Sequence, residues 1–379
     1  LLAEWTEAGG ANGFVHEELA ENLEALGRAA EIPGTRHEVH LLDESPRVVV
    51  RIPVVEELAD GAHVAEAGRA RQTQLRVVVV ASDDGVVGVA VPVELSRADA
   101  VYQDIATKFF EQFLDPDLVY SCAYFLSPSE PLAVAQRRKL DVVCRKLQLK
   151  PGDTVVEAGC GWGGLARFMA RHYGVNVRAY NISKEQISYA RQRAADEGLA
   201  DRVEYVLDDY RSISGRYDVF VSVGMLEHVG QHHYRELGQV IDRCLRPYGR
   251  GLIHSIGTDR PGRLNSWIER RIFPGAQSPS LGEMMPLFEP AGFSVLDVEN
   301  LRLHYALTLR HWRERFVEAQ ETIQGMFDQQ FMRAWLFYLA SSETAFSSGH
   351  LQLFQVLFAR NGCNAIPWTR ADLYRDGTF

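Results

Sequence analysis

Two rhythms of apolar and polar positions divide the chain at about residue 100. Before it, two helical patterns in the first thirty residues lead into short apolar runs, Arg47 to Pro53 and Gln74 to Ala81. The second run meets Ser82-Asp-Asp-Gly85 and then Val86 to Val93, which predicts a β-hairpin turning at Asp84-Gly85. Beyond it, a helical lead-in passes Phe109, Phe110 and Phe113, and a helix follows over roughly 131 to 147. Apolar strands at 154–158, 176–182, 203–207, 217–223 and 251–256 then alternate with helices. That alternation predicts an α/β fold with a doubly wound, mostly parallel sheet, preceded by a small α+β accessory domain over 1–100. Long helices over roughly 307–324 and 327–342 and a last strand, Leu351 to Phe358, complete the expected catalytic domain, 101–379.

The first strand of that sheet runs into Glu157-Ala-Gly-Cys-Gly-Trp-Gly-Gly164, a strand-to-helix loop of four glycines. Glycine tolerates positive φ and lets a ligand approach main-chain N–H groups at a helix start, so a nucleoside cofactor is expected here. Gly159, Gly161 and Gly164 match G-x-G-x-x-G, which a nicotinamide dehydrogenase shares. A dinucleotide site also wants an acid about twenty residues on, at the end of the second strand. Here that strand ends in Tyr180-Asn181, and the acids, Asp208-Asp209, close the third strand instead. S-adenosylmethionine is therefore the expected cofactor. The next helix opens with Ser183-Lys-Glu-Gln186, a capping box.

A formal net charge of −10 argues against a nucleic-acid partner, because phosphate binding relies on clustered Lys and Arg. Any membrane contact must come from a local patch, for which Arg310-His-Trp-Arg-Glu-Arg315 is one source. Five cysteines without paired spacing point to a reducing, cytoplasmic setting. No apolar run approaches the roughly eighteen residues of a membrane span. His228, His232 and His233 offer an i, i+4 pair, but no third ligand follows at a sensible spacing, so no metal is expected.

With the glycine loop in place, the chain over about 102–360 resembles the cyclopropane-fatty-acid synthases, including the mycolic acid cyclopropane synthases. The resemblance rests on Tyr120-Ser-Cys-Ala-Tyr124, Glu157 to Gly164, Asp209-Tyr-Arg211, Val223-Gly-Met-Leu-Glu-His-Val-Gly230, His254-Ser-Ile-Gly257, Ile272-Phe-Pro-Gly275 and His304-Tyr-Ala-Leu-Thr-Leu309, in order. It implies a Rossmann-like class I methyltransferase with a seven-stranded sheet, acting on the cis alkene of an acyl chain in a membrane phospholipid. The expected location is peripheral, on the inner face of the membrane, and a homodimer is among the expected states. The resemblance also implies a bound bicarbonate ion as base, held by the main chain at Cys122 with Glu227, His254, Ile256 and Tyr305. For S-adenosylmethionine it implies Tyr120 and Ser121 over the sulfonium and Glu157, Gly159, Gly161 and Gly163 along the methionine and ribose. Asn181 and Gln186 would lie near the ribose, and Asp209 and Tyr210 at the adenine.

Taken singly, these residues have plainer readings: Cys122 as a buried structural thiol, Glu227 as a helix cap, His254 as a satisfied core histidine, and Tyr305 as an interfacial tyrosine. The chain also departs from the family pattern. Tyr102-Gln-Asp104-Ile-Ala-Thr107 replaces the usual His-Tyr-Asp and Asn positions, Asn181-Ile-Ser183 replaces Thr-Leu-Ser, and the N-terminal Gly-Glu-Ser-Tyr-Met and paired-Trp patterns are missing. Methylation without ring closure, methylation of a soluble small molecule, and lipid binding without turnover stay open beside cyclopropanation.

Overall fold

The computed structural model describes residues 107–371 together with three strands before them. The two helical patterns of the first thirty residues and the altered positions 102–106 lie outside the described residues. The chain divides into two units, Leu1–Val101 and Tyr102–Phe379.

In the first unit, β1 (Arg47–Pro53), β2 (Gln74–Ser82) and β3 (Gly85–Ala90) form an antiparallel sheet in that order. Ser82 pairs with Gly85, so the hairpin closes one residue earlier than the Asp84-Gly85 reading, and Gly85 is already in the strand.

The second unit is built on a seven-stranded sheet. Its strands are β4 (Thr154–Ala158), β5 (Asn176–Asn181), β6 (Val203–Leu207), β7 (Tyr217–Val223), β8 (Leu245–Thr258), β9 (Phe293–Asn300) and β10 (Leu351–Arg360), in spatial order 6-5-4-7-8-10-9. The first five run parallel, and β10 is antiparallel to both β8 and β9. The chain winds outward from β4 to β6 and returns to lay β7 beside β4, so strand order reverses between them. In such sheets ligands bind at the carboxyl ends beside that reversal.

Helices cover both faces. They are α1 (Leu132–Leu147), α2 (Gly164–Tyr173), α3 (Lys184–Asp196), α4 (Leu226–Val229), α5 (Tyr234–Cys244), α6 (Ser266–Arg271), α7 (Leu281–Phe288), α8 (Arg302–Glu318), α9 (Gln320–Gln324) and α10 (Gln329–Ser347). Val155 belongs to the core on one face and Val156 to the core on the other, both fully buried, as a central parallel strand requires. A third, aromatic cluster joins helical segment 107–113 to α8 and α10 and includes Phe109, Phe113, Trp162, Tyr305, Trp312 and Tyr338.

Several boundaries differ from the sequence reading, each for a local reason. Strand β9 was not anticipated; its alternating Ser294, Asp297 and Glu299 mark it as the outer strand of the sheet. The single helix read at 307–324 starts earlier, where Asn300 Oδ1 accepts from Arg302 N, and breaks at Ala319. Asp328 caps α10 by accepting from Phe331 N at 2.7 Å. Only half of the capping box forms on α3: Ser183 Oγ accepts from Gln186 N, but the Gln186 side chain turns instead to Asn181.

Candidate functional site

The glycine loop lies at the carboxyl end of β4, beside the reversal in strand order. Gly159, Gly161 and Gly163 all take positive φ, 81°, 52° and 79°. They serve different ends. A Cβ on Gly163 would meet Tyr205 Oη at 2.5 Å, and Tyr205 donates to Gly163 O, so this glycine lets the loop pack on the sheet. A Cβ on Gly161 would meet nothing within 4 Å, which leaves its backbone open to a ligand. Helix α2 starts here with no side-chain cap, so its first N–H groups stay available to an approaching group.

Around the loop, Asn181 Nδ2 donates to Gln186 Oε1 at 2.7 Å and reaches Gly161 O at 3.4 Å, tying β5 to the loop. Asp209 caps its own turn, accepting from Arg211 N at 2.8 Å and pairing with the Arg211 guanidinium. Tyr210 is buried beneath Arg211 with a hydroxyl that has no partner among the described residues, and burial pushes its phenol up to about 12. The carboxylate Oε2 of Glu157 is likewise buried and unpartnered, and burial raises this acid to about 8 despite the nearby cations Lys139 and Arg167.

A shaped loop delivers Tyr120 to Tyr124. Asp115 accepts from Val119 N and Asp117 N, which holds Leu118 in the left-handed region at φ 53°. Tyr120 then packs at a tilt against Phe110 and Trp312, and its hydroxyl meets that of Tyr338 at 3.0 Å. Ser121 Oγ accepts from the fully buried Lys139 Nζ at 2.8 Å. Cys122 is fully buried with its thiol directed at the Leu301 carbonyl, and burial holds the thiol far above its ordinary value. Burial favours the neutral thiol at that position, which is the setting of a structural cysteine.

At the carboxyl end of β7, α4 presents Glu227 inward. Its Oε1 accepts from Ile256 N at 2.5 Å, continuing the β7–β8 ladder where Gly224 N has already bonded to His254 O. Its Oε2 is buried without a partner, and burial raises the acid to about 7. His254 is buried with Nδ1 facing Gln355 and Nε2 unpartnered; burial and the cations Lys139 and Lys146 push it well below the usual histidine range, so it is neutral. Tyr305, buried against Phe346 and Trp312, is raised by burial and by the neighbouring Tyr338, Cys122 and Glu227. Glu227, Ile256, Tyr305, Cys122 and Tyr120 thus share one interior, and His254 joins it two residues before Ile256 on β8.

Sequence reading missed the buried cations that organise this interior. Lys139 and Lys146 lie seven residues apart on the apolar stripe of α1, a spacing that puts both on the face toward the sheet. Gln355 interrupts a strand that is otherwise almost continuously apolar. Polar groups in such settings need partners, and that was the available signal.

With the geometry in place, comparison with known proteins decides the lineage. Residues 94–356 match the family described as mycolic acid cyclopropane synthetase. The chain belongs to that family. It is 40% identical over 291 residues to a probable fatty acid methyltransferase of Pseudomonas putida, covering 74% of each chain. It is also 40% identical over 270 residues to the cyclopropane-fatty-acyl-phospholipid synthase of Escherichia coli K12, covering 71% of this chain and 69% of that one. Among solved structures it is similar to mycolic acid cyclopropane synthase CmaA1 complexed with SAH and CTAB, with a TM-score of 0.64 and 29% identity, covering 70% of this chain and 99% of that one.

This cyclopropane synthetase relative is an S-adenosylmethionine-dependent methyltransferase. Its residues fit the cofactor: an open main chain at Gly161, and a buried Glu157 oxygen without a partner that matches an ammonium group. The Arg310 to Arg315 segment does not supply a free basic patch. Arg310 and Arg313 both pair with Glu343, Arg315 donates to the carbonyls of Phe113 and Leu114, and Trp312 is fully buried.

Proposed function

We propose that this enzyme transfers a one-carbon unit from S-adenosylmethionine to the cis double bond of an unsaturated acyl chain in a phospholipid, giving a cyclopropane. The observation that carries the reading is that Glu227 Oε2, on the helix that follows β7, and His254 Nε2, on the neighbouring strand β8, are both buried without a hydrogen-bond partner among the described residues. Native interiors pair such atoms, so two orphans on neighbouring elements suit a small polar guest. A bicarbonate ion fits: the carboxyl of Glu227 and the Nε2 of His254 offer complementary contacts, with the Tyr305 hydroxyl and the main chain near Cys122 completing the set. When bound, that ion would supply a base in the site.

S-adenosylmethionine supplies a methyl group on a positively charged sulfur. Transfer to the alkene forms a carbon–carbon bond as the sulfur–methyl bond breaks, leaving a thioether and a cation on the second alkene carbon. Loss of a proton from the new methyl returns its electron pair to that cation and closes the ring. The protein's part is positional and electrostatic. Tyr120, Trp312, Phe110 and Tyr338 exclude water that would trap the cation as an alcohol, and their ring faces favour positive charge. Gly159 and Gly161, in a loop that Gly163 packs on the sheet, would hold the donor together with Tyr120 and Ser121, with Asn181 and Gln186 at the ribose and Asp209 and Tyr210 at the adenine.

A lipid surface is the natural source of such a substrate. Helix α10 exposes Phe337, whose ring centroid is 4.8 Å from that of Trp267 on α6; Arg270 and Arg271 on α6, Arg263 just before it, and Arg333 one turn before Phe337 are exposed and make no ion pair among the described residues. In a chain of net charge −10 this local basic, aromatic surface suits anionic headgroups, and Phe337 directly precedes Tyr338 of the site wall. Peripheral attachment at the inner face follows, and five free, buried cysteines support a reducing compartment. No helix among the described residues is long and apolar enough to cross a membrane. Residues 1–100 would act as the accessory domain.

One specific observation favours a second reading: the Pseudomonas relative, at the same 40% identity, is named a fatty acid methyltransferase. Cofactor with a deuterated methyl, monounsaturated phospholipid and mass spectrometry of the released acids separate the two. A cyclopropane keeps two of three deuteriums and resists ozone. A simple branched product keeps all three, and a methylene product keeps two yet is cleaved.

A further inference from the structure

We infer that Gln355 and Lys146 are positioning residues that lock His254 into its Nε2–H tautomer, so that His254 acts as a hydrogen-bond donor in the site and not as a base. The inference rests on the proposed oxyanion site and names what sets one of its contacts. Register places Glu299, Gln355 and His254 side by side on β9, β10 and β8, on one face of the sheet. Lys146 of α1 lies against that row. Its Nζ donates to Glu299 Oε2 at 2.5 Å and to Gln355 Oε1 at 2.7 Å, and Gln355 Nε2 is 3.1 Å from His254 Nδ1.

The logic of donors and acceptors leaves one state. An ammonium has only donors, so the amide oxygen of Gln355 must face Lys146 and its NH2 must face His254. An NH2 also only donates, so Nδ1 must offer a lone pair. Imidazolium and the Nδ1–H tautomer would each set two donors against one another. A neutral imidazole with a bare Nδ1 carries its proton on Nε2. That Nε2 is the buried atom without a protein partner. Gln355, Lys146 and His254 are all buried, so water is a poor substitute for any link in the chain. Glu299, also bonded by the Tyr124 hydroxyl at 3.3 Å, anchors the ammonium at the outer end.

The test reads the tautomer directly. Imidazole-¹⁵N histidine is incorporated into the full chain, and two-bond ¹H–¹⁵N correlations are recorded, with His254 assigned by His254→Gln. The wild type is expected to show a pyridine-like Nδ1 and a pyrrole-like Nε2. Gln355→Glu replaces the NH2 by an acceptor, so the proton should move to Nδ1. The turnover rate should then fall roughly 100-fold, the size of effect seen when an active-site donor is lost, with unchanged affinity for S-adenosylmethionine. Lys146→Met frees the amide to turn and should give both tautomers with a smaller loss, which provides a second reading should the first variant not fold. A wild type with Nδ1 protonated, or a Gln355→Glu enzyme with an inverted tautomer and undiminished turnover, overturns the inference. Nε2–H in the wild type with turnover indifferent to removal of dissolved bicarbonate would instead sink the oxyanion reading and leave the tautomer lock supported.

Discussion

Glu227→Gln should cripple the enzyme and stabilise the protein, and the two effects have one cause. The Glu227 carboxyl is buried, and burial raises its pKa from 4.5 to about 7 against the opposing pull of hydrogen bonds from Ile256 N, its own main-chain N–H and the Ser255 hydroxyl. A folded-state value above the unfolded one means that the native protein holds the proton more tightly. Stability therefore falls as pH rises from the unfolded value through the folded one, and the penalty is complete above about pH 7. A rise from 4.5 to about 7 corresponds to roughly 3 kcal/mol at alkaline pH when nothing is bound beside the carboxylate. Glutamine keeps the shape and the acceptor for Ile256 N but carries no charge, so it removes that penalty. It also puts a donor where the proposed oxyanion needs a tunable acid, and a loss of roughly 100- to 1,000-fold in turnover is expected. Denaturant unfolding of wild type and variant at pH 5 and pH 8.5, in buffer free of bicarbonate, reads the stability arm. The variant should gain stability over wild type mainly at the higher pH, while calorimetry finds S-adenosylmethionine affinity unchanged. Equal stability differences at both pH values would refute the burial account, and full turnover would refute the role in the site.

The glycines should separate by function. Gly163→Ala meets Tyr205 and Ala190 at under 3 Å and should unfold at markedly lower denaturant, by about 2 kcal/mol or more. Gly161→Ala has open space and should cost only about 1 kcal/mol from its positive φ, yet weaken cofactor binding measured by calorimetry. Cys122→Ser should retain turnover within roughly ten-fold, because only the main chain there is assigned a role and a buried hydroxyl can still donate to Leu301 O; complete loss in a folded variant would contradict this. Phe337→Ser with Arg271→Glu should lower flotation with anionic vesicles without changing cofactor affinity, and unchanged flotation would remove that surface as the lipid contact.

The residue pattern alone determined that a parallel sheet alternates with helices and that a glycine loop follows its first strand. These features are local: side-chain periodicity, caps and positive-φ glycines act within a few residues of one another. The placement of Glu227, His254 and Tyr305 in one chain was legible only through motifs, because each alone has a plain structural role. Tertiary structure decided the rest. Strand β9 hides in a mixed pattern because it lies beyond β10 at the edge of the sheet and is half-buried along most of its length. Arg310 to Arg315 reads as a basic patch until Glu343, far along the chain on α10, pairs with both Arg310 and Arg313. Lys139, Lys146 and Gln355 stand far apart in sequence from the groups they meet, and only the packing of α1 on the sheet brings Lys139 to Ser121 and Lys146 to Gln355 beside His254. Hydrogen-bond partners across a sheet follow from register, and register is a property of the whole fold.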